Sequence, residues 1–276
     1  MTIHGNASPI KLSEIAAEFN YSNVSSKLGA TWYLDGVLTQ GTFSLSHIRA
    51  SDFYNKRATD PAGAGSFDAP VGTTQFKVPL YRNNLNVKVW GGGGRGGNFG
   101  RPGQFAADGH YEPSGGDSSF GSVVGGGGGG GQNAGTGTAG GLVSGAGGAG
   151  GVASGGDVNL NGAAGGGSGG NGGDAGDSGG TGGINPGGRC QYADGTYPGG
   201  GGSGSNYNFN GKFPAYCGAG GGGGYAEKNY PVGTLPAGTI VPVVVGAAAP
   251  QDGYYPSFAA SASGNGADGR VLITWS

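Results

Sequence analysis

Residues 165–183 read GGGSGGNGGDAGDSGGTGG, with glycine at each of positions 167, 170, 173, 176, 179 and 182. This strict period of three limits what the stretch can become. Polyproline II has three residues per turn, rises about 3.1 Å per residue and makes no hydrogen bond within itself. Its N–H and C=O groups point outward, and each needs a partner wherever the segment is buried. Neighbouring helices of this kind can bond to one another if their backbones come very close. Glycine at every third position clears one face for that approach, and two glycines in three clear two. The remaining positions 168, 171, 174 and 177 carry Ser, Asn, Asp and Asp toward solvent.

Two other readings compete. Collagen needs proline-rich positions over long stretches, and here no proline lies between Gly115 and Asn185. A flexible linker is the remaining alternative. Glycine supplies 72 of 276 residues, yet aromatics reach 10% and charged residues only 11%. Disordered chains have the opposite bias, so composition favours order. Ordering a residue costs about 1–2 kcal/mol, most for glycine. A net hydrogen bond returns about 0.5–1.5 kcal/mol, and each Cα–H···O contact about 0.5–1 kcal/mol. These terms nearly cancel, so a glycine bundle needs an anchor.

The flanks of the glycine-rich region supply one. TTQFKVPL at 73–80 and NLNVKVW at 84–90 alternate as strands do, with Val87 and Val89 facing one way and Lys88 and Trp90 the other. TIVPVVVG at 239–246 and GRVLITW at 269–275 are their counterparts. Pairing between the two ends brings Trp90 near Gly246 and makes everything between them an insertion from a β base. Residues 61–72 (PAGAGSFDAPVG) read as a linker. Ahead of it, 12–19 and 45–53 echo each other as L-S-x-I followed by Ala, an acid and Phe. Ser13 and Ser46 are N-cap residues for short helices. The expected fold is mostly irregular and all-β. A polyglycine II helix sandwich is inserted into a small antiparallel β base within 63–276, and 1–62 form a small helical module.

A net charge of −2 argues against nucleic acid or an anionic membrane as partner. No apolar run reaches the roughly 20 residues of a membrane helix, and the N-terminus carries no signal-peptide core. No GK[ST] follows a glycine run, so no phosphate loop is read. GGRGGNFGRPG has the look of an RGG-type RNA binder, but Arg95 and Arg101 are its whole basic content. His110-Tyr111-Glu112 and the pair Asp174 and Asp177 are weighed as metal ligands, against an exposed loop triplet and a solvated acidic edge. No enzyme signature is read and no cofactor is expected. Cys190 and Cys217 are the two cysteines. A bridge between them would stabilise their loop by about 3 kcal/mol; two free thiols are the other reading.

NVKVWGGGGRGG, GGGGGYAEK, GTIVPVVVGAAA and GADGRVLITW together resemble the glycine-rich domain of phage tail fibre and tail-tip proteins, over roughly 73–276. The architecture is similar to the adhesins at the long-tail-fibre tips of T-even-like phages. SPIKLSEIAAEFN is similar to short segments of phage tail proteins. The resemblance implies a virion protein of the distal tail, a receptor-binding adhesin rather than an enzyme. Its receptor would be a bacterial surface protein or glycan, and residues 1–62 would mount it on another tail fibre or tail-tip protein. The implied receptor surface lies in the inserts 101–120, 184–198, 205–217 and 251–258. Tyr111, Tyr192, Tyr197, Tyr207, Phe209, Tyr216, Tyr254 and Tyr255 there supply rigid contact area, and Ser, Asn and Gly adaptable hydrogen bonds. Phe105, Phe120 and Phe213 are expected to cap the glycine bundle instead. A purely structural tail or baseplate cap is the alternative function, and ice binding a more remote one.

Overall fold

The computed structural model describes residues 32–34, 37–39, 64–98, 110–136, 142–143, 145–167, 170–176, 179–183, 193–209, 213–249 and 263–276. Within 1–62, β1 (Trp32–Leu34) and β2 (Val37–Thr39) form an antiparallel hairpin. The two segments expected as helices, 12–19 and 45–53, lie outside the described residues.

The described chain from 64 onward is all-β, with no helix among the described residues. Its base strands are β3 (Gly65–Asp68), β4 (Gly72–Lys77), β5 (Asn84–Trp90), β6 (Ser118–Phe120) and β7 (Val123–Gly125). Two short pairing segments follow, β8 (Gly135–Thr136) and β9 (Leu142–Val143), then β10 (Ala153–Ser154) and β11 (Val158–Leu160). A second hairpin is made by β12 (Asn206–Phe209) and β13 (Phe213–Tyr216), before β14 (Tyr225–Pro231), β15 (Ile240–Val245) and β16 (Arg270–Trp275) complete the base. Two five-stranded antiparallel sheets result, in the orders β10-β7-β6-β15-β4 and β11-β14-β5-β16-β3.

Alternation decides which faces meet. Leu85, Val87 and Val89 of β5 and Val271 and Ile273 of β16 are buried against Phe76, Phe120, Val123, Val241, Val243 and Val245 of the other sheet. The two ends of the glycine-rich region pair as expected: Trp90 stands opposite Arg270, Val89 opposite Val271 and Val87 opposite Ile273. The Gly269 amide donates to the Gly246 carbonyl at 2.8 Å, which places Gly246 beside the end of β5. Two expectations are corrected here. The segment 61–72 contains β3, which pairs with β16 and sets the Phe67 ring 5.4 Å from Phe76. Phe120 is not a cap on the glycine segments but a core residue of the sandwich, 6.0 Å from both Phe76 and Tyr230.

Strands run directly into glycine-rich segments. β5 continues as 91–98, β7 as 126–132, β11 as 161–167 and β15 as 246–249. Segments 112–117, 145–152, 217–224 and 263–269 lead into β6, β10, β14 and β16. These extended segments, with 170–176, 179–183, 193–196 and 199–205, lie side by side as rods. Their hydrogen bonds repeat every three residues. In the buried rod 218–224, Gly218, Gly221 and Gly224 donate to Gln132, Gly129 and Gly126. Ala219 and Gly222 donate to Gly166 and Ala163, and Gly220 and Gly223 to Gly202 and Gly199. Its carbonyls accept from 91, 94 and 97 on one rod, from 148 and 151 on another, and from 173 and 176 on a third. Every N–H and C=O from Gly218 to Gly224 is thus bonded, at 2.7–3.0 Å, to six surrounding segments.

Bare Cα atoms permit this spacing. A Cβ at Gly221 would stand 2.0 Å from the Ala149 carbonyl oxygen, one at Gly94 2.0 Å from that of Gly129, and one at Gly128 2.0 Å from that of Gly221. At Gly167, on an exposed stretch, the nearest atom is 3.5 Å away. Gly221→Ala is therefore expected to destabilise the fold by about 3 kcal/mol or more. Gly167→Ala should leave it unchanged or raise stability by about 0.4–1 kcal/mol through the unfolded chain. Paired denaturant melts of the two variants check this.

Candidate functional site

Where the sandwich ends, the rods are clamped by aromatic rings. The Trp90 and Tyr225 rings lie 5.0 Å apart under Gly176 and Gly179. The Arg270 guanidinium carbon sits 5.9 Å from the Trp90 ring and 5.8 Å from that of Tyr197. Its Nη2 meets Asp68 Oδ2 at 2.7 Å and its Nε meets Oδ1 at 3.1 Å. Tyr197 is 55% exposed but belongs to this base. The rod 193–196 returns toward the sandwich, and 197–199 form the turn there.

The opposite side of the bundle gathers most of the other sequence-predicted positions. Tyr111, 52% exposed, bridges Gln132 at the rim. Tyr207, Phe209 and Tyr216 belong to the β12–β13 hairpin, in which Tyr207 stands opposite Ala215, Phe209 opposite Phe213 and Tyr216 opposite Asn206. β13 lies beside β9, so the two hairpins adjoin. The chain leaves and re-enters the rods on this side at Asn98 and His110, at Gly183 and Ala193, and at Ala249 and Ser263. Phe105, Tyr192, Tyr254, Tyr255 and Cys190 fall in the intervening segments, outside the described residues. The insert expected at 101–120 is shorter than its bounds, since 112–117 is a rod and 118–120 a strand.

Beneath this rim lies a buried polar network that sequence reasoning missed. Arg95, 3% exposed, directs Nε at Ser263 Oγ (3.2 Å) and Glu112 Oε2 (3.8 Å). Asn98 Nδ2 donates to Glu112 Oε1 at 3.1 Å, and the Asn98 amide to Asn133 Oδ1 at 2.6 Å. The Asn133 amide in turn donates to the His110 carbonyl at 2.9 Å. Arg95 therefore faces the interior and offers no surface contact for RNA. Glu112 likewise turns inward while Tyr111 turns out, so 110–112 is not a wholly exposed triplet. The available signal was an isolated charge, Arg95, inside an otherwise bare glycine run. Asp174 Oδ1 accepts the Gly182 amide at 2.8 Å; Asp177 lies outside the described residues.

Cys217 is a buried free thiol that receives the Ser205 hydroxyl at 3.3 Å. Burial pushes its pKa up to about 11, against the lowering effect of that hydrogen bond. The thiolate is the reactive form, so the native protein should resist iodoacetamide at Cys217 at pH 8, while the denatured chain is alkylated; peptide mass mapping reads the difference. Removing one member of a buried ion pair leaves the other uncompensated. Arg95→Ala is expected to cost about 3–5 kcal/mol, and Arg95→Met combined with Glu112→Met much less, as chemical denaturation will report. No protein-family model, curated protein or solved structure matches this chain.

Proposed function

We propose that this chain is a bacteriophage tail fibre or tail-tip adhesin, with its glycine rods wound as polyglycine II helices and residues 1–62 serving as the mount on the virion. The single observation that carries this reading is the polarity of the domain. A sandwich with a hydrophobic core closes one end. A bundle whose central rod has every backbone group bonded projects from it. The aromatic-rich hairpin β12–β13 and the points where 99–109, 184–192 and 250–262 connect lie on the far side. The threefold repeat of bond directions supports this, since a polyglycine II helix has three residues per turn.

Such a scaffold suits recognition because it presents loops without moving. Rigid aromatic anchors lose little entropy on binding, and polar neighbours adapt to the target. The receptor surface comprises Tyr111, Tyr207, Phe209 and Tyr216, joined by Tyr192, Tyr254 and Tyr255 of the adjoining inserts. Tyr197 stays outside it, committed to Arg270 at the base. The receptor is a protein or glycan of a bacterial surface.

Replacing residues 206–216 with a short Gly-Ser turn tests the reading. Purified protein is expected to bind host cells, and the variant to lose that binding while keeping its circular dichroism spectrum and melting cooperativity. Unchanged adsorption by the variant, or no adsorption by the parent protein, would sink the proposal in favour of a structural cap.

A further inference from the structure

A strand at the rim of a sheet leaves N–H and C=O groups unpaired and can recruit another chain. The outer rods of this bundle carry the same hazard. In rod 145–152, Gly148 and Gly151 donate to Ala219 and Gly222. The carbonyls of Ala146, Ala149 and Val152 accept from rod 126–132, and those of Gly148 and Gly151 from rod 161–167. The amides of Gly147, Ala149, Gly150 and Val152 and the carbonyls of Gly147 and Gly150 have no partner among the described residues. These groups recur every three residues, the repeat by which rods bond inside the bundle. An outer rod therefore carries both kinds of group that a further rod needs.

Side chains decide whether such a rod can arrive. A Cβ at Gly147 or Gly150 would stand 1.8 Å from a carbonyl oxygen of 161–167, and one at Gly148 or Gly151 2.0 Å from a carbonyl oxygen of 126–132. The remaining class, Ala146, Ala149 and Val152, faces the open side, and all three are exposed. A rod close enough to bond there would meet their Cβ atoms in the same way. The pattern extends around the bundle. Among the described rods, every exposed position except Gly167 carries a side chain, Ser114, Asp117, Asn171, Asp174, Thr181 and Asn265 among them. The buried rods 199–205 and 218–224 are mostly glycine. Asp117 and Asp174 add charge to their rods, whereas 145–152 holds no charged residue, so bulk alone acts there. We infer that Ala146, Ala149 and Val152 end the lattice at one molecule, holding the same rod of a second copy of this chain off groups that would otherwise bond it. The inference concerns the flank of the bundle and stands whatever the far end binds.

Ordinary surface hydrophobicity predicts the opposite sign, since removing methyl groups from a surface weakens association. Sedimentation of full-length variants over a concentration series separates the two. Ala146→Gly, Ala149→Gly and Val152→Gly together bare the open side. The weight-average mass of this variant should climb with concentration to about twice the parent's or more, the step of one added copy, and fall again on dilution. Replacing the same three residues by Ser keeps each Cβ and should leave sedimentation like the parent's. Restoring one obstacle and a charge, with Ala149→Asp between the two remaining glycines, should reverse the association. A cooperative melt and a Cys217 thiol still closed to iodoacetamide show that each variant is folded. Ala149→Gly alone disturbs the chain least and should shift the mass in the same direction, which keeps the test open if the triple variant does not fold. Folded glycine variants that sediment like the parent overturn the inference. So does a serine variant that associates as the bare one does, or association that Ala149→Asp leaves in place.

Discussion

One contact makes the rest of the molecule possible: a main-chain N–H meeting the carbonyl of a neighbouring rod at 2.7–3.0 Å, with no side chain between them. In helices and sheets side chains project away from the hydrogen-bonded direction. Here bonds leave a rod on all sides, so bulk at most positions meets backbone. A Cβ at Gly218 would stand 1.7 Å from the Ala146 carbonyl oxygen. The glycines are therefore a packing requirement, and their entropic cost is offset by a rod with no unpaired group. The alternation of rod directions, 218–224 antiparallel to 126–132 and parallel to 148–151, lets one neighbour's carbonyls face another's amides all around.

The bundle contains little apolar surface, so its anchorage comes from the sandwich. Leu85, Val87, Val89, Val271 and Ile273 bury a conventional core, and their strands deliver the rods already aligned. The Tyr225–Trp90–Arg270–Tyr197 seam is where the two packing modes meet. Arg270 suits that junction: its paired Asp68 contact raises its pKa further, and its flat face accepts rings on both sides.

Much of this was legible in the residues. The strand expected at 84–90 is β5 to the residue, and its inward set of Leu85, Val87 and Val89 follows from alternation. The period of three in 165–183 reappears in the bond directions. The misses share one cause: local sequence says which face is apolar or bare, not which distant segment will cover it. GSFD looked like linker because its partner, β16, lies some two hundred residues away. Phe120 is expected to cap the bundle because exposed aromatic anchors are usually a minority, while its neighbours in space are Phe76 and Tyr230. The resemblance groups Tyr197 with the other insert tyrosines; the structure sets it beside Arg270 at the base. Its placement follows from counting rods: 179–183 runs outward and 193–196 returns, so a turn at 197 belongs at the sandwich.

β16 is held between β5 and β3, and the rod preceding it accepts amides from Gly93 and Gly96. Residues made early in synthesis thus wait for partners made very late. No rod bonds to itself, so none can persist alone while the ribosome works through the glycine-rich region. The nascent chain must remain open, with its valine-rich strands uncovered, until residues 263–275 clear the exit tunnel. Topology of this kind slows closure and lengthens exposure to aggregation, which makes β16 the strand that commits the whole domain.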